Sequence, residues 1–236
     1  MKGNKRLRKL CSVLLSAAWL FTAVPIGAIT VTAATTSFAG GSGTESDPFL
    51  VETKTHLNHV RNNLGAHYKM VADIEFTDAD FAEGGDFYNE GKGWEPIGFG
   101  NYNYFSGTFD GNSHVIKGLR INQTGSTMKD IGLFGRSSGT IKNLGLVDHE
   151  ISVFSDPNSI VDSSYVGSIL GCNYVDGNVR SCFSNGSLSS NGCSGGIVGR
   201  NYKGKIEKCY NMNDMTSGRD AGGLVGWNES VVQNCY

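Results

Sequence analysis

Histidines are the first side chains to consider for metal or acid–base chemistry, and this chain has five of them. They are His56, His59, His67, His114 and His149. The H-E-x-x-H pattern of zinc proteases is absent. His56 and His59 lie three residues apart on a predicted helix and could touch one metal ion, but no third ligand follows nearby. The sequence therefore predicts surface or packing histidines, with neither a metal nor a cofactor.

Acidic residues form one local cluster in the stretch DIEFTDAD, which contains Asp73, Asp78 and Asp80. An EF-hand calcium loop would place Asp or Asn and then Gly at the positions of Ala82 and Glu83, so that motif is absent. Weak calcium binding stays open as an alternative. The preferred interpretation is a group of solvated loop acids.

Carboxylate pairs would be needed for glycoside hydrolysis, which uses two acids about 5–10 Å apart. In the repeats described below, Asp176, Glu207 and Glu229 occupy positions that do not match from one repeat to the next. Arg180 and Lys208, the candidate bases of a lyase, are one residue out of phase with each other. The sequence also lacks a G-x-S-x-G elbow and a phosphate-binding loop. These observations predict a chain without catalytic residues.

Four segments of the C-terminal half repeat one pattern, in which a short apolar run ends in glycine. That glycine recurs at spacings of 36, 28 and 27 residues, at Gly135, Gly171, Gly199 and Gly226. A second landmark recurs at spacings of 38, 27 and 26 residues, at Leu144, Cys182, Cys209 and Cys235. Because the spacings of the two landmarks change together, we interpret the pattern as a true repeat. Such units bury their apolar faces by stacking on one another.

Two further sets of repeat-equivalent residues predict structural ladders. Asn173, Asn201 and Asn228 each lie two positions after the landmark glycine, where stacked amides can hydrogen-bond from unit to unit. The landmark cysteines, Cys182, Cys209 and Cys235, share one phase and predict a stack of reduced, buried thiols. Disulfides are the alternative in an exported protein, although five cysteines beyond residue 34 would leave one unpaired.

Aromatic residues also recur at equivalent positions. Tyr174 and Tyr202 share the third position after the landmark glycine, and Trp227 follows it directly. If exposed, these rings would form a flat surface for sugar rings or for a protein partner. Covering of a corner of the fold is an equally open interpretation.

Composition and repeats together predict the fold class. The chain has 33 Gly, only 4 Pro and 18% charged residues, which favours frequent turns and short strands over long solvated helices. Stacked units of this length are typical of an all-β, right-handed parallel β-helix, or solenoid. A single amphipathic helix is predicted from an N-cap at Thr53 or Thr55 to a stop at Gly65, and it would cap the first coil.

The first 34 residues predict export. Five basic residues precede an apolar stretch at residues 11–29, and small residues follow in VTAA, as in a cleaved signal peptide. Removal of residues 1–34 would leave no membrane span, and 15 basic against 22 acidic residues, a net charge of −7. An acidic chain without a basic cluster argues against nucleic-acid binding.

The repeats resemble a known family. The stretches GGLVGWNESVVQNCY and SGGIVGRNYKGKIEKCY are similar to the GLUG motif of bacterial secreted and surface proteins, and upstream blocks such as FSGTFDGNSHVIKGLRI extend the resemblance over residues 38–236. The chain departs from the pattern at Ser168 and Ser230, where glycine is usual. The resulting division is a signal peptide at 1–34, a cap with first coils at 35–125, and repeat coils at 126–236.

The resemblance implies an extracellular module without catalytic residues, acting as a scaffold, a stalk or an adhesive surface. Its partner would be a glycan or a protein on a host or cell surface. The alternative is an accessory module of a larger secreted protease or carbohydrate-active enzyme. Because no cap follows Tyr236, the sequence also predicts a piece of a longer protein.

Overall fold

The computed structural model of the chain describes residues 37–100, 102–125, 130–154 and 164–236. The predicted signal peptide lies outside these described residues. Short strands dominate, and in chain order they are β1 Phe49–Val51, β2 His67–Met70, β3 Ile74–Glu75, β4 Thr108–Asp110, β5 Val115–Lys117, β6 Arg120–Thr124, β7 Asp130–Ile131, β8 Phe134–Ser137, β9 Thr140–Lys142, β10 Gly145–Phe154, β11 Tyr165–Gly167, β12 Leu170–Asn173, β13 Asn178–Arg180, β14 Phe183–Ser190, β15 Cys193–Gly195, β16 Val198–Asn201, β17 Lys205–Glu207, β18 Tyr210–Asn211, β19 Asp214–Ser217, β20 Ala221–Gly222, β21 Val225–Asn228 and β22 Val231–Gln233.

The predicted helix is confirmed as α1, Lys54–His59, which continues as a 3₁₀ turn over Val60–Asn62. It begins where the Thr53 hydroxyl accepts a hydrogen bond from the backbone N–H of His56 at 3.2 Å. A second helix, α2 at Asp78–Phe81, was not predicted because four residues are too few to show a helical period. A further 3₁₀ turn covers Asn89–Gly91.

The strands form four sheets. Sheet A has the order β1-β2-β4-β9-β13-β17-β22, and sheet B contains β18-β14-β10-β5-β3 with β19 beside β14 and β6 beside β10. Sheet C has the order β21-β16-β12-β8, and sheet D has the order β20-β15-β11-β7. Neighbouring strands run parallel in all four, as between β12 and β16 or β13 and β17. The prediction of a mostly β chain with parallel sheets is confirmed.

Each repeat supplies its strands to the four sheets in one fixed order. The unit that starts at β11 contributes β11 to sheet D, β12 to sheet C, β13 to sheet A and β14 to sheet B, and the next unit repeats this from β15. The register pairs residues from the same column of the repeat, such as Val179 with Ile206. Closure of these sheets into a right-handed β-helix stays a prediction.

The core is built from side chains that point inward at equivalent positions of neighbouring strands. In sheet A, the side chains of Ile141, Val179 and Ile206 are buried in succession. Burial of one such side chain stabilises the fold by about 1.5–3 kcal/mol. Every added repeat therefore contributes to one continuous core.

Sheets C and D approach so closely that only glycine fits between their backbones. A Cβ on Gly171 would lie 2.3 Å from the backbone nitrogen of Ile131, and one on Gly199 would lie 2.5 Å from that of Val166. The recurring landmark glycine is thus explained by backbone packing.

Candidate binding surface

The structure separates the histidines that could have shared a metal. The ring nitrogen Nδ1 of His56 accepts a hydrogen bond from the backbone N–H of Glu52 at 3.3 Å. The Nδ1 of His59 lies 3.0 Å from the carbonyl oxygen of Ser37. Within the described residues, no cluster of three His, Cys, Asp or Glu side chains could hold a metal ion.

The acidic cluster likewise divides among separate partners. Asp73 accepts a hydrogen bond from the backbone N–H of Val115 at 3.0 Å and lies 2.9 Å from His114. Asp78 pairs with Arg120 at 2.8 Å. Asp80 pairs with Lys54 at 2.6 Å. Each carboxylate holds a different partner, so the three do not converge on one cation.

Buried polar residues form a network that the sequence did not reveal. The Nε2 atom of His149 lies 2.9 Å from the hydroxyl of Ser168, and the Asn213 amide donates to the same hydroxyl at 2.9 Å. His149 is 2% exposed and Ser168 is fully buried, so this serine–histidine pair cannot meet a substrate. Burial lowers the pKa of His149 to about 4, which keeps the ring neutral.

One sequence feature could have pointed to this network, namely the serine at position 168, where the repeat usually has glycine. A Cβ on Gly186, the register partner of His149, would lie 2.5 Å from the His149 ring. The neighbouring repeat therefore leaves space at the position where the ring packs. The three members are distant in sequence, and only the stacking of units brings them together.

The two repeat-equivalent tyrosines stack directly on each other. The ring centroids of Tyr174 and Tyr202 are 5.5 Å apart, with 25° between the ring planes. Tyr104, from a segment outside the repeats, packs beside this pair: its ring centroid is 5.9 Å from that of Tyr174, with the ring planes tilted by 49°. All three rings are half-buried.

Two arginines of sheet C cover the tyrosine stack. The guanidinium of Arg136 lies 5.4 Å from the ring centroid of Tyr174, and that of Arg200 lies 4.7 Å from the centroid of Tyr202. Arg136 pairs with Asp130 at 2.6 Å, and Arg200 pairs with Glu229 at 2.6 Å. The two arginines at the tyrosine stack are therefore already paired with acids, whereas Lys203, 5.2 Å from the Tyr202 centroid, is a further cation on this surface.

Trp227 lies in the same register column of sheet C as Arg136 and Arg200, and it is not part of the tyrosine stack. It is the register partner of Arg200 in sheet C, and its side chain is 45% exposed. In the described part of the chain Trp227 stacks on no other ring. Of the three aromatic residues singled out from the sequence, the structure brings two together and leaves the third as a separate exposed face. Their role in binding stays a prediction.

The asparagine column forms a chain of side-chain hydrogen bonds. Asn173 donates its amide to Asn201 Oδ1 at 2.8 Å, and Asn201 donates to Asn228 Oδ1 at 2.8 Å. Asn173 and Asn201 are fully buried, whereas Asn228 is exposed. Each buried amide also reaches a backbone carbonyl, that of Lys205 for Asn173 and that of Val231 for Asn201. The column fixes the turn that leaves sheet C.

The cysteine column contacts the carbonyls of the preceding strand. Cys182 Sγ lies 3.8 Å from the carbonyl oxygen of Ile141, and Cys209 Sγ lies 3.7 Å from that of Val179. The backbone N–H of Cys209 donates to Cys235 Sγ at 3.4 Å. The described cysteines are free thiols, and burial raises the pKa of Cys182 well above its usual value.

No family model matches the chain. A provisionally named Gly-rich membrane protein of Evansella cellulosilytica is 41% identical over 141 residues, which are 58% of this chain and 14% of that protein. Halomucin of Haloquadratum walsbyi is 32% identical over 163 residues, 67% of this chain and 2% of halomucin. The chain thus spans only a small part of the length of these relatives.

A solved structure has the same fold. The crystal structure of a Bacteroides ovatus protein, provisionally named an immunoglobulin A1 protease, matches with a TM-score of 0.63 and 24% identity. The match covers 84% of this chain and 59% of that one. At this identity the likeness concerns the fold alone.

Proposed function

We propose that this chain is a non-catalytic extracellular module of a bacterial surface protein, built from GLUG-type repeats that close into a right-handed parallel β-helix. It acts as a scaffold or stalk, or as an adhesive surface. The observation that carries the proposal is the in-register pairing of successive repeats in sheet C, where Asn173, Asn201 and Asn228 are direct partners. Such stacking makes a stiff rod whose length grows with the number of repeats.

The relatives support a surface location. One is named a membrane protein and the other a halomucin, and both are far longer than this chain. A repeat module that recurs within long surface proteins suits a structural or adhesive task better than a task for one active site. Within the described residues, no helix is long and apolar enough to cross a membrane.

The side-chain chemistry supports a role without catalysis. The acids of the cluster at Asp73, Asp78 and Asp80 each hold a different partner. The Ser168–His149 pair is sealed from solvent. A glycoside hydrolase would need two accessible carboxylates about 5–10 Å apart.

The location is tested on intact source cells. We expect brief treatment with an external protease to remove the chain's peptides, as identified by mass spectrometry, while a cytoplasmic marker stays intact. Protection of both would contradict a surface location. The mass of the native polypeptide, measured in the same fractions, addresses the second candidate.

The second candidate is an accessory module of a larger secreted protease or carbohydrate-active enzyme, favoured by the structural match to a protein named a protease. A native polypeptide that carries a catalytic domain beside this module would support that candidate. A native polypeptide made of further repeats and a cell-wall anchor would support the scaffold.

A further inference from the structure

The outer face of sheet A carries a groove that none of the roles above uses. Its floor consists of the outward side chains of β2, β4, β9 and β13, and the segment 45–48 forms one wall. The volume is about 250 Å³. Tyr68, Phe109, Ile141 and Val179 of the same strands point inward and are buried, so the alternate residues point outward. We call this feature the sheet-A groove.

Charges in the sheet-A groove follow one register column. Lys69, Asp110, Lys142, Arg180 and Glu207 are successive cross-strand partners. Lys142 and Arg180 are therefore neighbours of like charge, an arrangement that destabilises a sheet. Asp110 on the other side offsets the charge of Lys142, so the local cost suggests a function for Arg180.

Ion pairs leave two of these cations available. Lys142 pairs with Asp110 at 3.1 Å, and Glu207 pairs with Lys205 at 2.6 Å. In the part of the chain that the structure describes, neither Lys69 nor Arg180 forms an ion pair. The lining contains three cations against the two acids Asp110 and Glu45, on a chain whose net charge is −2.

Hydroxyl groups lie beside these cations. Thr108 and Thr140 are direct register partners in the neighbouring outward column, and both line the groove. A threonine hydroxyl both donates and accepts hydrogen bonds, as a sugar hydroxyl does. The backbone groups of β4 and β9 are engaged by strands on both sides, so a peptide could not add as a further strand here.

We propose that the sheet-A groove binds a carboxylate-bearing glycan of the polyuronate type. The guanidinium of Arg180 takes the carboxylate through paired N–H donors, Lys69 supplies a second cation, and the threonine hydroxyls contact the sugar hydroxyls. Lys69 on β2 and Arg180 on β13 are three strand spacings apart, about 14 Å, so the two cations contact different sugar units of one polymer. The inference names a ligand for the adhesive role proposed above, at a site separate from the tyrosine stack.

Binding of polygalacturonate to the purified full chain tests the site, with neutral dextran and poly-glutamate as comparison polymers. We expect polygalacturonate to bind, dextran not to bind, and affinity to fall as NaCl rises, because exposed charges are screened. Arg180→Gln should raise the Kd about tenfold, the loss of one charge-assisted contact. Arg180→Lys keeps the charge without the paired donors and should fall between the two.

Lys117→Gln is the matched control, because Lys117 is exposed on β5 of sheet B and belongs neither to the lining of the groove nor to the tyrosine stack. Circular dichroism checks that each variant is folded. Equal loss of affinity in Arg180→Gln and Lys117→Gln would overturn the site, and so would an unchanged Kd in Arg180→Gln. Equally tight binding of poly-glutamate would overturn the glycan as ligand. A surface location could still hold in these cases, since protease treatment of cells tests it separately.

Discussion

His149 shows what a single buried side chain does to the pH dependence of this fold. Its folded pKa of about 4 lies below its usual value of 6.5, because burial disfavours the charged ring. The unfolded chain therefore binds more protons between these two pH values, and the free energy of unfolding falls as the pH drops through that window. A shift of this size corresponds to about 3 kcal/mol.

We expect His149→Gln to flatten this pH dependence. Glutamine can still contact the Ser168 hydroxyl, but it does not titrate. Urea unfolding at pH 7 and pH 4.5 should show a much smaller loss of stability in the variant than in the natural chain. An equal loss in both chains would mean that other groups cause the acid sensitivity.

Two glycines of the repeats, Gly199 and Gly223, differ in the space around them. A Cβ on Gly199 would meet the backbone of Tyr165, Val166 and Gly171 within 2.7 Å, whereas one on Gly223 would meet nothing within 4 Å. We expect Gly199→Ala to lower the free energy of unfolding by about 3 kcal/mol, as overpacking against backbone does. Gly223→Ala is the matched control and should be neutral or slightly stabilising. Equal effects in thermal unfolding would argue against backbone packing as the reason for the landmark glycine.

The asparagine ladder, which runs across the strands of sheet C, has two buried members and one exposed member. Asn201→Ala removes the acceptor of Asn173 inside the fold and should cost about 2 kcal/mol. Asn228→Ala removes an exposed member of the same column and should cost less than about 1 kcal/mol. Chemical denaturation of the two variants measures the difference. Similar costs would show that burial does not govern the ladder.

The burial of the five cysteines predicts the order in which they react. Cys172, Cys182, Cys193 and Cys209 are buried, whereas Cys235 is partly exposed. Burial raises the pKa of Cys172 to about 12, which suppresses the reactive thiolate. We expect a thiol reagent to modify Cys235 first in the folded chain, and the buried four only after denaturation. Rapid labelling of a buried thiol in the folded chain would contradict this arrangement.

The sequence predicted elements well where a landmark recurs. The column of Asn173, Asn201 and Asn228 was aligned from residue types, and the register pairs its members directly. Helix α1 was visible because its apolar residues follow a helical period. The segment before β4 offered no repeat, so the fully buried Trp94, which donates to the carbonyl of Leu133 at 3.1 Å, was not anticipated.

Surface features were harder to predict than the core. Tyr174 and Tyr202 were recognised as equivalent, but the sequence does not tell whether stacked rings expose their faces or their edges. The sheet-A groove was missed because its residues differ in type from one repeat to the next. Periodicity identifies what a solenoid repeats, whereas a binding site depends on where its repeats differ.

On the scale of the whole molecule, the two edges of sheet A differ in coverage. At one edge, α1 lies against β1, and Val51 is fully buried. At the other edge, Val231 and Val232 of β22 are 49% and 36% exposed, whereas Val179 and Ile206 inside the sheet are buried. Stability in a repeat fold is a sum over units and the contacts between neighbouring units, so the two edges should open with different free energies.

Amide hydrogen exchange measures this difference directly. We expect the amides of β22 to exchange at least about tenfold faster than those of β13 and β17, because the last strand has a neighbour on one side only. The amides of β1 are the internal control: β1 is also the last strand of sheet A, but the Leu50 N–H donates to the carbonyl of Gly40 at 2.8 Å and should stay protected. Fast exchange in both β1 and β22 would assign the effect to edge position alone. Uniform protection across sheet A would show instead that the stacked repeats open as one unit.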